Sequence, residues 1–263
     1  MGEVIVITSG KGGVGKTTVT ANLGAALSKS GKKVCVLDTD MGLRNLDLAL
    51  GLENNIVYDA IDVVTGICTL EQATVSVEGF DSFDLIPAPQ SRNCDYIKPE
   101  MIIELCDMLR KKYDYILLDS PAGIDKGFRN AVAGADKAII VTQPYIASVR
   151  DADRAIDYIE KTDIEDMRVI INAVRVEEIK SGILMNVDSV VDLLGIPVLG
   201  IVPWDENIPK LAVGGKTVMT QEKAISFTAY KNIASRINGE SVPVMDITPP
   251  KKGFFSRFKK SFS

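Results

Sequence analysis

The sequence predicts a doubly wound α/β fold, a mostly parallel sheet flanked by helices. Three observations carry that expectation. Short β-branched runs alternate with longer helical patterns along the chain. Apolar runs such as AIIV and RVII do not alternate with polar residues, as expected of strands buried on both faces of a parallel sheet. The first strand runs straight into a glycine-rich turn and then a helical stretch, and ligands of such folds sit at the carboxyl ends of the strands.

Taken in order, Val4–Thr8 reads as a strand and Thr17–Ser30 as a helix. Lys33–Leu37, Phe83–Ile86, Tyr115–Leu118, Lys137–Thr142, Arg168–Ile171 and Pro197–Val202 are the further strand candidates. Helical patterns fall near 99–112, 127–135, 148–161, 186–194 and 222–237. One domain is expected over 1–238. GESVPVMDITPP, with three prolines and a glycine, then reads as a linker over 239–250, and 251–263 is a basic tail.

Composition narrows the chemistry. The chain has 263 residues, 46% of them hydrophobic and 25% charged, the balance of an ordinary globular protein. There are no histidines, which excludes Ser-His-Asp triads, Cys-His pairs and His-ligated metals. Cys35, Cys68, Cys94 and Cys106 form no C-x-x-C pair and read as free or buried thiols in a reducing compartment. No apolar run reaches the ~18 residues of a membrane-spanning helix. The start, MGEVIVITSG, enters a glycine loop too soon for a signal peptide, so a cytoplasmic location is expected. The net charge is −5, yet 251–263 holds five Lys/Arg and no acidic residue, so an acidic body carries a cationic tail.

SGKGGVGKTT holds the chemistry. Gly10 to Thr17 fits G-x-x-x-x-G-K-[ST], a phosphate-binding loop. Gly10, Gly12, Gly13 and Gly15 free the backbone around Lys11 and Val14 to turn N–H groups toward phosphate oxygens. The helix that follows adds its positive end. Lys16 is placed to reach the β- and γ-phosphates, Thr17 to coordinate Mg²⁺, and Thr18 to cap the helix or bond the α-phosphate. Two acidic sites follow strand ends. VCVLDTD brings Asp38 and Asp40, and YILLDS brings Asp119, in the setting of a residue that holds the metal through water. Asp40 also suits a role orienting the attacking water, with Asp38 supporting it. Lys11 is either a solvated lysine or a second cation aimed at a nucleotide outside its own subunit.

The tail KKGFFSRFKKSFS sets Phe254, Phe255, Phe258 and Phe262 within roughly a 100° arc of a helix. Arg257, Lys259 and Lys260 lie outside that arc, which is the pattern of an interfacial helix.

KGGVGKTT, with a lysine directly after the first motif glycine, resembles the deviant Walker A motif of the MinD/ParA family of ATPases. LDTDMGLRNLDLALGL is similar to that family's switch I and LLDSPAGI to its switch II, so the resemblance spans roughly residues 2–240. It implies a P-loop NTPase fold, ATP and Mg²⁺ as ligands, and an ATP-dependent homodimer in which Lys11 contacts the partner subunit's phosphates. GFFSRFKK, SVRDADR and VPWDEN resemble the membrane-cycling, septum-positioning branch rather than the DNA-partition (ParA) branch, which stays as the alternative. That branch implies peripheral attachment to an anionic membrane on its cytoplasmic face. It also implies the division inhibitor MinC and the topological factor MinE as partners, with no nucleic acid, near Arg44 and Asp151–Arg154. Asn172 resembles the family's adenine-binding Asn, with Pro203 and Asp205 on the other side of the base. The residue after it is usually Arg in this branch and is Ala173 here. ATP is expected over GTP, since no N-K-x-D motif is present. An iron–sulfur role would need matched cysteines that this spacing does not supply.

Overall fold

The structure, a computed structural model, describes residues 1–40, 44–89 and 97–245. The tail residues Phe254, Phe255, Arg257, Phe258, Lys259, Lys260 and Phe262 lie outside that range, as does Cys94.

The chain opens with β1 (Glu3–Thr8), α1 (Lys16–Lys29) and β2 (Val34–Asp38). Three short helices follow: α2 (Leu46–Leu50), α3 (Ala60–Val64) and α4 (Leu70–Ala73). Each of the last two begins in a capping box, Asp59 with Asp62 and Thr69 with Gln72. Such caps satisfy the first-turn N–H groups, and they let helices this short persist. A two-residue strand β3 (Val75–Ser76) precedes β4 (Phe83–Ile86), α5 (Pro99–Leu109) and β5 (Tyr115–Asp119). Then come α6 (Lys126–Ala133), β6 (Lys137–Thr142), α7 (Ile146–Ile159) and β7 (Asp166–Val174). The chain closes with α8 (Val176–Lys180), α9 (Val187–Leu194), β8 (Val198–Pro203), α10 (Asn207–Ala212), a 3-10 turn at Val218–Thr220 and α11 (Ile225–Ile237).

The eight strands form one sheet in the order β3-β4-β2-β5-β1-β6-β7-β8. Every pair is parallel except the edge pair β3–β4. The expected doubly wound sheet is therefore present, with one antiparallel edge that its length hid from sequence. Successive residues of β1 feed opposite cores. Val4 and Val6 pack with α5, α6 and α7, whereas Ile5 and Ile7 pack with α1 and α11. Two buried faces explain the unbroken apolar runs.

The sheet's central strands bring three sequence-distant segments to one edge. β1 lies between β5 and β6, and β2 pairs with β5 in a register that sets Asp38 beside Asp119. β7 carries an irregularity beside β8: Ile171 faces Ile201 and Val174 faces Pro203, so Asn172 and Ala173 together oppose Val202. Ala173 takes a left-handed φ of 54° within this bulge.

Candidate nucleotide-binding site

The loop after β1 is held from three sides. Gly13 and Gly15 have φ of 80° and 95°, a region that a side chain would strain. A Cβ on Gly15 would come within 2.4 Å of Asn172 Nδ2. That amide donates to the Val14 carbonyl at 2.9 Å, and Gln143 Nε2 donates to the Gly13 carbonyl at 3.4 Å. A Cβ on Gly10 would lie 1.8 Å from the Asp151 carbonyl oxygen of α7. The loop is thus seated against β7, α7 and Gln143, the residue after β6.

Gly15 stands at the cap position of α1 and provides no side-chain acceptor, so the leading N–H groups of the helix remain for an anion. Thr18, in the first turn, does not cap α1; it lines the cavity described below. Lys16 is buried. Lys11 is half-buried, its carbonyl accepting from Ser9 Oγ at 2.8 Å. Among the described residues no carboxylate pairs with Lys11.

Asp38 and Asp119 sit side by side, each 1% exposed. Both Asp38 oxygens are engaged by backbone, from Asp40 N at 2.9 Å and Leu46 N at 3.3 Å. Asp38 therefore fixes the start of the segment that holds Asp40. Asp119 accepts from Thr20 Oγ1 at 3.1 Å and from Thr17. Thr39 ties the strands together, donating from N and Oγ1 to the Asp119 carbonyl. Burial, and then repulsion from Asp119, pushes the Asp38 carboxyl up to about 8. Burial also pushes Asp119 up to about 6, against the pull of Lys16 and the threonine hydroxyls. Burial raises half-buried Asp40 as well, and Lys16 offsets part of that.

This site wants more positive charge than Lys16 alone supplies. Among the described residues no group of three or more acidic or thiol ligands forms a cage. One hydroxyl and one or two carboxylates next to a phosphate loop fit Mg²⁺, which keeps most of its waters and shares phosphate oxygens. Thr17, Asp119 and Asp40 are the residues that would hold it.

Beside the loop opens a cavity of about 530 Å³. Thr18, Asn172, Pro203 and Asp205 line it. The Asp205 carboxylate is nevertheless committed, to Asn207 N and Nδ2 and to Ser226 N and Oγ. Burial opposes its charge, but those bonds outweigh burial and hold it below the usual range. Asn172 likewise spends one N–H on the loop. Sequence reasoning missed the other wall, made by Leu48, Ala173 and Trp204, with Arg175 stacked on Trp204 at 3.9 Å. A lone tryptophan directly after Pro203 was the available signal.

The expected partner residues divide. Arg44 is tied to Asp47 at 2.5 Å with both side chains nearly buried. Arg154 is 73% exposed on α7, 3.6 Å from Asp151. Cys35, Cys68 and Cys106 are free and buried, in line with ordinary thiols.

The CobQ/CobB/MinD/ParA nucleotide binding domain matches residues 5–218. Septum site-determining protein MinD of Bacillus subtilis is 48% identical over 100% of this chain and 98% of that protein. The MinC:MinD cell division protein complex of Aquifex aeolicus contains a chain 45% identical, with a TM-score of 0.86, over 93% of this chain and 99% of that one. The septum site-determining protein MinD of Pyrococcus horikoshii, complexed with Mg-ADP, is 29% identical with a TM-score of 0.81, over 90% and 96%.

Proposed function

This chain belongs to the CobQ/CobB/MinD/ParA family of nucleotide-binding domains, within its septum site-determining MinD group, and on that premise we propose that it is a membrane-cycling ATPase of cell division. The observation that carries the reading is the juxtaposition of the anion-ready loop and Lys16 with the charge-starved pair Asp38 and Asp119, beside a base-sized cavity.

The roles we assign are these. Backbone N–H groups of 10–18 and Lys16 bind the phosphates and hold them in line for displacement. Thr17, Asp119 and Asp40 would hold Mg²⁺, which when bound would neutralise charge on the phosphates. Asp40 orients the attacking water and takes its proton, and Asp38 keeps the Asp40 backbone in place. Lys11 reaches across to the phosphates of a second subunit, so ATP joins two chains. Asn172, Pro203 and Asp205 frame an adenine.

The tail makes the dimer matter. A segment as short as 251–263 is barely helical in water and orders at an anionic bilayer. Each cationic residue adds ~1 kcal/mol there, and partial burial of each phenylalanine adds less than its full ~1.5–3 kcal/mol. Ordering the segment offsets much of that, so one tail attaches weakly. Two tails on one dimer raise avidity by about 10²–10⁴. Hydrolysis separates the subunits and releases them from the cytoplasmic face of the membrane. On the membrane the dimer recruits the division inhibitor MinC, as the Aquifex complex pairs those two proteins, and the topological factor MinE stimulates its turnover.

Liposome sedimentation with ATP, ADP and no nucleotide tests this. ATP alone should carry the protein down with anionic vesicles. Phe255→Asp should abolish that while leaving nucleotide bound, and Lys11→Ala should abolish ATP-dependent dimerisation. Equal pelleting with ATP and ADP would sink the reading. Pelleting with duplex DNA instead would favour the partition branch.

A further inference from the structure

Trp204 is the sole tryptophan of the sequence, and it stands half-exposed at the rim of the 530 Å³ cavity. Its position is fixed from two sides. The Trp204 N–H donates to the Val174 carbonyl at 3.0 Å, and the Arg175 guanidinium lies 3.9 Å over the ring centre. Arg175 is oriented in turn by Glu178 at 3.6 Å, and Glu178 accepts from Tyr145 OH at 3.1 Å. Arg175 does not line the cavity, so it braces the indole without filling the space.

The rest of the cavity offers no comparable surface. Ala173, beside Asn172, carries only a methyl group. Leu48 and Val213 are aliphatic, and Asp205 and Asn172 are held by their own hydrogen bonds. A planar heterocycle attached to a phosphate chain in the loop therefore meets one aromatic plane. A guanidinium on an aromatic ring also strengthens the ring's grip on a second flat partner's electron-rich face only while the ring stays put, which the Tyr145–Glu178–Arg175 chain secures.

Resting on the nucleotide-site reading above, we propose that Trp204, braced by Arg175, is the stacking wall for the base of the bound nucleotide and favours a purine over a pyrimidine. The larger ring system covers more of the indole, and each base stacked on an aromatic side chain gains binding that alanine substitution removes.

The experiment titrates the full-length protein with Mg-ADP, Mg-CDP and inorganic tripolyphosphate, following tryptophan emission and, independently, calorimetric heats. ADP should change the emission of Trp204, and tripolyphosphate should bind without doing so. Trp204→Ala should weaken ADP about tenfold and narrow the ADP-to-CDP preference, with tripolyphosphate affinity unchanged. Trp204→Phe should retain most ADP affinity, and Arg175→Ala should lose part of it. ADP binding to Trp204→Ala at wild-type strength would overturn the proposal. So would equal weakening of ADP and tripolyphosphate, since that marks a structural role. Wild-type protein that binds neither ligand would instead remove the nucleotide site itself.

Discussion

The two ends of the sheet treat carboxylates in opposite ways. At the amino ends of β1, β6 and β7, the acidic groups Glu3, Asp136 and Asp166 each have a cation beside them. Asp136 accepts from Arg110 Nη2 at 2.8 Å and from Val4 N at 2.8 Å. Lys137 lies 2.7 Å from Glu3 and 3.4 Å from Asp166, and Arg168 lies 2.8 Å from Asp166. Burial opposes the charge on Asp136 and Asp166, but Arg110 and Arg168 outweigh it and hold both below the usual range. At the carboxyl ends, burial holds both Asp38 and Asp119 well above that range, and Lys16 pulls on Asp119 but not on Asp38. One end is finished by the fold. The other is left short of positive charge, which a nucleotide-bound cation can supply.

The largest break in that contrast is Lys16→Ala. It removes the lysine whose charge acts on both Asp119 and Asp40. ATP turnover, followed by phosphate release, should fall by about 10²–10³. The corresponding loss at the amino end, below, should leave turnover intact.

Next comes Asp119→Asn. The Thr20 bond survives because an amide oxygen also accepts, while the repulsion on Asp38 disappears. Metal-dependent ATP affinity should drop at least about tenfold by calorimetry, as a charged ligand is lost. Nucleotide-free protein should melt about 2–4 °C higher at pH 8, the shift expected of ~1 kcal/mol in a chain of this size.

The pH profile sharpens the same comparison. Unfolded, an Asp titrates near ~3.9. Asp38 and Asp119 rise to about 8 and about 6 on folding, so the folded protein holds extra protons between about pH 4 and 8. Its stability without nucleotide should fall as pH rises through that window. Asp136 and Asp166 act in the reverse sense. Their contribution is present above ~pH 4 and is lost as pH falls through their depressed values. Urea melts across pH 3–9 check both, and Asp119→Asn should flatten only the upper limb.

The smallest effects lie at the amino end. Arg110→Ala should cost about 1 kcal/mol, because its partner Asp136 is partly exposed and screened. Arg168→Ala, with both groups about a third exposed or more, should cost under ~0.5 kcal/mol. ADP affinity should not move in either variant.

Sequence pattern reached this contrast unevenly. The strands that carry the site were legible because runs such as YILLD and VCVLD are apolar, short and end in Asp. The helices α1, α5, α7 and α11 span enough turns to display a period. Helices α2, α3, α4, α8 and α10 have four to six residues, too few for periodicity to register, and β3 has two. The glycine loop showed itself by spacing alone. The base-side wall did not, since the Trp204–Arg175 stack depends on a bulge in β7 that residue identities do not reveal. The commitment of Asp205 to Ser226 was hidden for the same reason: its partner is brought near only by the turn before α11.

Gly51 and Gly215 meet with almost nothing between them. A Cβ on Gly215 would fall 2.2 Å from Gly51 Cα, and one on Gly51 would fall 3.0 Å from Gly215 Cα. Both residues already hold left-handed backbone, at φ of 69° and 63°. In evolutionary terms the pair is a joint dead end. Neither site can accept a side chain first and wait for the other to make room, because the other has nothing left to give up. The segment after α2 and the segment after α10 must therefore drift together or not at all.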